Sequence, residues 1–316
     1  MNEKFNLLLS LCSDGKVAIL MHMRADVDSV SSAYAFYKSI PDGTICTCEE
    51  MDDGGKQLAA KLGIKPKSLK ELDKHKYKGL VTVDTSAYTL VPAARGWRVL
   101  GIIDHHRAEG RDMKGEVEII DSDSPSTAEI IANVIPLQQI DADTAFALSV
   151  GIISDGARFK SARVETFETL GKMMRICGMQ YRELLDYAEP ELAEEAKVAV
   201  LGTLRKIEYV YLGGYIVATS EAVSNESDAA SIICEAADVA IIAKWKDKER
   251  ETRISSRARK NVHIALNHVM AEVGKTLGGA GGGHAKAAGA AIPGKHPDEV
   301  LRTCIEIFGD IASKKK

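Results

Sequence analysis

The segments GLVTVDT (79–85) and RVLGIIDHH (98–106) decide how this chain reads. Each is an apolar, β-branched run that stops abruptly on a carboxylate, Asp84 in the first and Asp104, followed by His105 and His106, in the second. Runs of this length and composition form strands. A third, KVAILMH (16–22), ends in the same way on His22. Amphipathic stretches separate the runs, so strands and helices follow one another, the pattern of an α/β domain with a largely parallel sheet flanked by helices. Candidate strands are 16–22, 44–50, 79–85, 98–104 and 116–121, and candidate helices are 28–39, 54–62, 126–136, 142–154 and 164–177. Open α/β sheets bind ligands at the carboxyl ends of their strands. Three separate segments are therefore predicted to deliver metal-type side chains to one edge.

At 316 residues, 45% hydrophobic and 27% charged, the chain has ordinary globular composition and exceeds the size at which one core usually keeps growing. The predicted division is a catalytic domain at 1–189, a charged connecting helix at 190–208, and a smaller α/β domain at 209–316. The last should carry strands near 209–219, 238–246 and 251–258, helices near 226–236, 262–274 and 298–313, and a glycine-rich loop at 278–289. The N-terminal MNEKFNLLLSLCSDGK breaks its apolar stretch too early for a signal peptide. No apolar run approaches the roughly 20 residues of a membrane span. Six scattered cysteines without a C-x-x-C pair read as free thiols in a reducing cytoplasm, with Cys46 and Cys48 as strand packing. The formal charge of −4 gives no global field for a long polyanion and suits small anionic substrates. The lysine-rich stretch from Lys65 to Lys78 reads as a solvated helix face, with a polyanion contact as the alternative.

In AILMHMRADVDSVSSAYAF, His22, Asp26 and Asp28 fall within seven residues, where a strand gives way to a helix. Imidazole and carboxylates together suit manganese, magnesium and related divalent ions. Two carboxylates so close need a cation or hydrogen bonds to offset their repulsion, and a helix N-cap is the competing account. For Asp84 the competing account is a turn. His105 and His106 are adjacent, so a loop is needed to bring both to one site, with one on metal and its neighbour on substrate. Asp155, in GIISDGARF, ends an apolar helix where the dipole disfavours an acid. A cation explains it better than capping does, and a surface turn is the alternative. Arg158 suits a phosphate contact and Phe159 core packing, with a place under a base as the alternative for Phe159. The chain has no separate Ser-His-Asp or catalytic cysteine constellation.

In this order the segments resemble the DHH phosphoesterase superfamily, which includes RecJ-type exonucleases, nano-RNase and pAp phosphatases, cyclic-dinucleotide phosphodiesterases and family II pyrophosphatases. The resemblance implies that His22, Asp26 and Asp84 bind one metal ion while Asp28, Asp84, His105 and Asp155 bind another. Asp84 would bridge them, His106 would face the scissile phosphate, and Asp104 would orient its neighbours. Asp84, Asp104, His105 and His106 are thus the implied catalytic residues. Ser126, Thr127 and Glu129 look like the family's supporting stretch, although a helix cap accounts for them equally. The chain departs from the common pattern before Asp26, after Asp28 and after Asp155, without losing a ligand.

RISSRAR (253–259) and GGAGGGHAKAAGA (278–290) resemble the superfamily's DHH-associated C-terminal domain. Glycines allow backbone N–H groups to approach a phosphate closely. With His106 and Arg158, the residues Ser255, Arg257, Gly282, Gly283 and His284 are the implied substrate contacts. The expected cofactors are two divalent ions, manganese first and magnesium or cobalt next. Such a pair can share a water, lower its pKa to make an attacking hydroxide, and neutralise phosphate charge. The expected substrate is a short oligonucleotide or a small nucleotide such as pAp. A cyclic dinucleotide is the alternative, and pyrophosphate, polyphosphate and a non-catalytic scaffold rank lower. No membrane partner is expected, and a homodimer is compatible with the sequence.

Overall fold

The computed structural model describes residues 1–106, 111–156, 159–189 and 191–313. The chain divides into two compact units, Met1–Glu191 and Leu192–Lys316.

The first unit begins with α1 (Asn2–Cys12), which buries Phe5, Leu8 and Cys12. There follow β1 (Val17–Met21), α2 (Val27–Lys38), β2 (Gly43–Thr47), α3 (Asp53–Lys61), β3 (Lys67–Ser68), β4 (Gly79–Val83), β5 (Val99–Asp104) and β6 (Val117–Ile120). All six strands are parallel, in the order β3-β2-β1-β4-β5-β6. Both faces of the central strands are covered, and every residue of β1, β4 and β5 is buried. That is why they read as unbroken apolar runs rather than alternating ones.

Four helices complete this unit: α4 (Thr127–Val134), α5 (Ala142–Asp155), α6 (Val164–Cys177) and α7 (Tyr181–Ala188). Helices α2, α4 and α5 approach one another closely at Gly151. A Cβ added at Gly151 of α5 would lie 2.0 Å from the Ser31 hydroxyl of α2 and 2.8 Å from Ala128 Cβ of α4. Glycine is thus what lets three site-bearing helices meet. The lysine-rich stretch is not the expected helix. Pro66 and the buried anchor Leu69 hold it in an irregular path, comprising β3 and single 3-10 turns at Leu69–Glu71 and Lys74–Lys76.

The second unit holds α8 (Glu194–Leu204), β7 (Glu208–Leu212), β8 (Tyr215–Glu221), α9 (Glu226–Ile233), β9 (Val239–Lys246), β10 (Glu251–Ala258), α10 (Leu266–Leu277), β11 (Ala280–Gly283), β12 (Ala287–Pro293) and α11 (Pro297–Ser313). Its sheet is mixed, in the order β11-β12-β10-β9-β8-β7, with only β8 and β9 parallel. Two expectations change here. The strand read at 209–219 is a hairpin turned at Gly213 and Gly214, both with positive φ. The glycine-rich segment is not a loop but two paired strands, β11 and β12. A Cβ at Gly281 would sit 1.9 Å from the Met270 carbonyl oxygen, so glycine allows β11 to lie directly on α10. Among the described residues, no helix is long and apolar enough to cross a membrane.

Helix α5, which ends on Asp155, is anchored at its other end by Asp141, whose carboxylate accepts the Thr144 N–H at 2.8 Å and pairs with Lys38 of α2 at 2.9 Å. Burial opposes ionisation, but these partners hold the carboxyl at about 2, below the ordinary 3.8. A depressed carboxylate stabilises the fold fully above its unfolded value and loses that contribution as pH falls through the folded one. Asp141→Ala should therefore cost about 1 kcal/mol at neutral pH in urea titrations, and the gap to wild type should close as pH drops from 3.8 to about 2.

Candidate metal centre

Each predicted ligand lies where a strand or helix ends. His22 follows β1, and its Nδ1–H donates to the Met23 carbonyl at 2.8 Å, which turns Nε2 toward the acids. That nitrogen lies 3.3 Å from Asp84 Oδ2 and 3.8 Å from Asp26 Oδ1. Asp26 is also the N-cap of α2, accepting the Ser29 N–H at 3.0 Å. The capping account therefore holds for it, and the same carboxylate also lies in a cluster with His22 and Asp84.

Asp28, in the first turn of α2, is 1% exposed. Its two oxygens accept the N–H groups of Thr127 and Ala128, at 2.8 and 2.9 Å, from the start of α4. A helix N-terminus presents free N–H groups and a partial positive charge, so it is a suitable seat for a buried anion. Asp84, just past β4, has φ 63, an unfavourable conformation for a residue with a Cβ. The backbone keeps it there by donating the Asp84 N–H to Ile103 O, and the Thr127 hydroxyl donates to Asp84 Oδ1 at 2.9 Å.

His105, just past β5, has Nδ1 against the Ser124 carbonyl at 3.2 Å. Its Nε2 lies 3.1 Å from Asp155 Oδ2 and 3.5 Å from Asp84 Oδ1. Asp104 points away from this centre. It accepts the Ser86 hydroxyl at 2.6 Å, and both the backbone N–H and Nδ1–H of His106 at 3.1 and 2.8 Å. The His106 side chain is 42% exposed, and among the described residues its Nε2 makes no hydrogen bond or ion pair.

Three groups of side chains have donor atoms within 4.8 Å of one another: His22, Asp26 and Asp84; Asp28, His105 and Asp155; and Asp84, His105 and His106. The donors are carboxylate and imidazole only, a set that favours hard to borderline divalent ions over soft ones. The cysteines lie elsewhere. Burial pushes Cys46 up to about 12 and also raises Cys48, so neither offers a thiolate.

The electrostatics point the same way. Burial, followed by the charge of Asp84, lifts Asp26 to about 7, and burial raises Asp28 well above the carboxylate range. Burial alone would lower the two imidazoles. Hydrogen bonds and charge from Asp84 at His22, and from Asp155, Asp28 and Asp84 at His105, reverse this and bring them to about 9 and 10. Four acids crowded together call for positive charge, and the residues present fit a divalent cation.

Some supporting contacts have little sequence signature. Glu129, fully buried, pairs with Arg163 at 2.9 Å across a separation of 34 residues. Ser86 and the carbonyls of Met23 and Ser124 act through folding geometry alone. Arg158 lies outside the described residues. Phe159 is half-buried at the margin of the core, packing on Phe167 and Tyr181 with centroids 5.0 and 5.6 Å apart.

In the second unit, Ser255 and Arg257 share one face of β10. Ser255, Gly289 and Gly282 form a row across β10, β12 and β11. Nothing lies within 4 Å of where a Gly282 Cβ would be, so the row is bare of side chains at its edge. Arg257 is held by Ser227 Oγ at 2.8 Å and the Ser256 carbonyl at 3.0 Å. Gly283 has φ 124, and the His284 N–H donates to Ala287 O.

A parallel α/β unit with an Asp/His centre at its carboxyl edge, followed by a mixed-sheet unit with an Arg and Gly face, fits a class of two-domain hydrolases with a candidate metal site. Comparison with known proteins places the chain within it. The DHH family, N-terminal domain, matches residues 16–152, and the DHHA1 domain matches residues 213–310. An uncharacterized protein of Methanocaldococcus jannaschii is 31% identical over 227 residues, 68% of this chain and 68% of that protein. The bifunctional oligoribonuclease and PAP phosphatase of Thermus thermophilus is 22% identical, over 96% of this chain and 93% of its own. A solved exopolyphosphatase-related protein from Bacteroides fragilis has the same fold, with TM-score 0.80 at 15% identity over 98% of this chain and 97% of that one. The chain belongs to the DHH family.

Thr127 joins Asp28, through its N–H, to Asp84, through its hydroxyl. Supporting residues of this kind typically change metal affinity by about 10–100-fold. Thr127→Val should weaken manganese binding by about tenfold in calorimetric titration, and Thr127→Ser should restore it. Equal affinity in all three proteins would remove Thr127 from the account.

Proposed function

We propose that this protein is a divalent-metal-dependent phosphoesterase that hydrolyses short oligonucleotides or small nucleotides such as pAp. The observation that carries the reading is Asp84, whose two oxygens face different imidazoles, His22 through Oδ2 and His105 through Oδ1. Under this reading His22, Asp26 and Asp84 hold one ion, and Asp28, Asp84, His105 and Asp155 hold a second, with manganese the preferred metal. When bound, such ions lower the pKa of water and neutralise phosphate charge.

The chain's own residues do the rest. Hydrogen bonds from His106 and Ser86, together with the His106 charge, outweigh burial and keep Asp104 ionised at about 2. The carboxylate therefore holds the proton on His106 Nδ1 and aims Nε2 outward. The same hydrogen bond raises the His106 pKa, favouring the imidazolium, whose Nε2–H can then donate to a phosphate oxygen. In the second unit, Arg257 supplies forked donors suited to a phosphate or terminal carboxylate. Ser255, Gly282, Gly283 and His284 supply small polar and backbone groups on the same sheet. Arg158 is assigned a phosphate contact on sequence grounds.

The choice of substrate leans on the T. thermophilus relative, whose name carries both activities and whose similarity runs through both domains. A panel with manganese tests it, comprising pAp, short RNA and DNA oligonucleotides, cyclic dinucleotides, pyrophosphate and polyphosphate. Oligonucleotides and pAp should be cleaved fastest, and the double variant Asp84→Ala, His105→Ala should lose about a hundredfold or more of that activity. Faster cleavage of cyclic dinucleotide or polyphosphate would replace the substrate. Unchanged activity in the double variant would overturn the site.

A further inference from the structure

The lysine-rich stretch has no part in the metal centre. Leu69 is buried, and Leu72 and Tyr77 pack against the sheet. These anchors leave Lys65, Lys67, Lys70, Lys74 and Lys76 exposed, with Lys78 half-buried. Six lysines against Glu71 and Asp73 give a local surplus of four positive charges in a chain whose formal total is −4. Among the described residues, none of the six ammonium groups is in an ion pair or a side-chain hydrogen bond. Arg98 nearby is different, being tied to Glu116 at 2.6 Å.

Four of the six lysines line two hollows. One, of about 330 Å³, is lined by Lys65 and Lys67 with Tyr34, Tyr37 and Gly43; the other, of about 210 Å³, by Lys74 and Lys78 with Tyr77, Trp97 and Gly79. They adjoin, because the Tyr77 hydroxyl donates to Thr44 Oγ1, in the wall of the first, at 3.3 Å. Lys16 adds its ammonium 5.3 Å from the Tyr77 ring centre. Gly43 and Gly79 are the first residues of β2 and β4. This surface therefore lies at the amino edge of the sheet, the opposite end from His22 and Asp84.

We propose that this amino edge is a binding surface for single-stranded nucleic acid, separate from the metal centre. Unpaired lysines supply phosphate contacts by counterion release, and Tyr37 and Trp97 supply flat rings on which bases stack. Two adjoining hollows suit a flexible strand that can dip a base or phosphate into each. A bilayer or a flat acidic protein would bridge over them.

The test is fluorescence anisotropy of a labelled single-stranded RNA oligonucleotide with the full chain in EDTA, so that binding is read without hydrolysis. The fourfold variant Lys65→Glu, Lys67→Glu, Lys74→Glu, Lys76→Glu should bind at least about tenfold more weakly, with a shallower salt dependence. Arginine at the same positions should bind like wild type, and Tyr37→Ala should weaken RNA binding but not polyphosphate binding. Wild-type affinity in the fourfold variant would overturn the proposal. So would binding of phosphatidylserine vesicles but not RNA, or a Tyr37→Ala protein indistinguishable from wild type. None of these outcomes depends on what the metal centre hydrolyses.

Discussion

A carboxylate buried as deeply as Asp28 must be neutralised, because an unpaired charge in a protein interior costs several kcal/mol. The fold meets this demand by aiming the N-terminus of α4 at Asp28, two N–H groups onto two oxygens. Thr127 at that same terminus also reaches Asp84. The placement of α4 thus fixes two acids from different strands and helices relative to one another. Gly151 in turn lets α2, α4 and α5 pack closely enough for Asp28 and Asp155 to share His105. Remove that contact and the acids have no common partner.

The strained backbone of Asp84 belongs to the same arrangement. A positive φ in a residue with a Cβ persists only where its surroundings over-determine it, and here the N–H bond to Ile103 and the hydroxyl of Thr127 do so. The effect is to turn the carboxylate across the strand ends, so that each oxygen meets a different histidine. In the second unit the corresponding constraint is the absence of side chains. Glycines let β11 lie on α10 and leave the Gly282 end of the row from Ser255 open, with Arg257 on the Ser255 strand braced by Ser227.

Much of this was legible in the sequence because buried parallel strands are apolar to their last residue. Any acid or histidine directly after such a run must lie at the carboxyl edge, which located His22, Asp84 and the Asp104–His106 cluster before any geometry was known. The supporting contacts were less legible. Ser86 and the carbonyls of Met23 and Ser124 carry no residue-type signal, and the Glu129–Arg163 pair joins positions far apart in the chain. The glycine-rich segment misled because periodicity cannot separate a flexible loop from a strand packed on a helix. The lysine-rich stretch misled because a run of charges looks alike on a solvated helix face and on an irregular path, here anchored by Leu69, Leu72 and Tyr77.

The central claim is that Asp84 is shared by two cation positions. Manganese titration followed by electron paramagnetic resonance tests it most directly. Two ions per chain should bind, at roughly 3.5–4 Å from one another, giving an exchange-coupled signal that Asp84→Ala abolishes. One ion per chain, or two with the spectrum of isolated manganese, would contradict it.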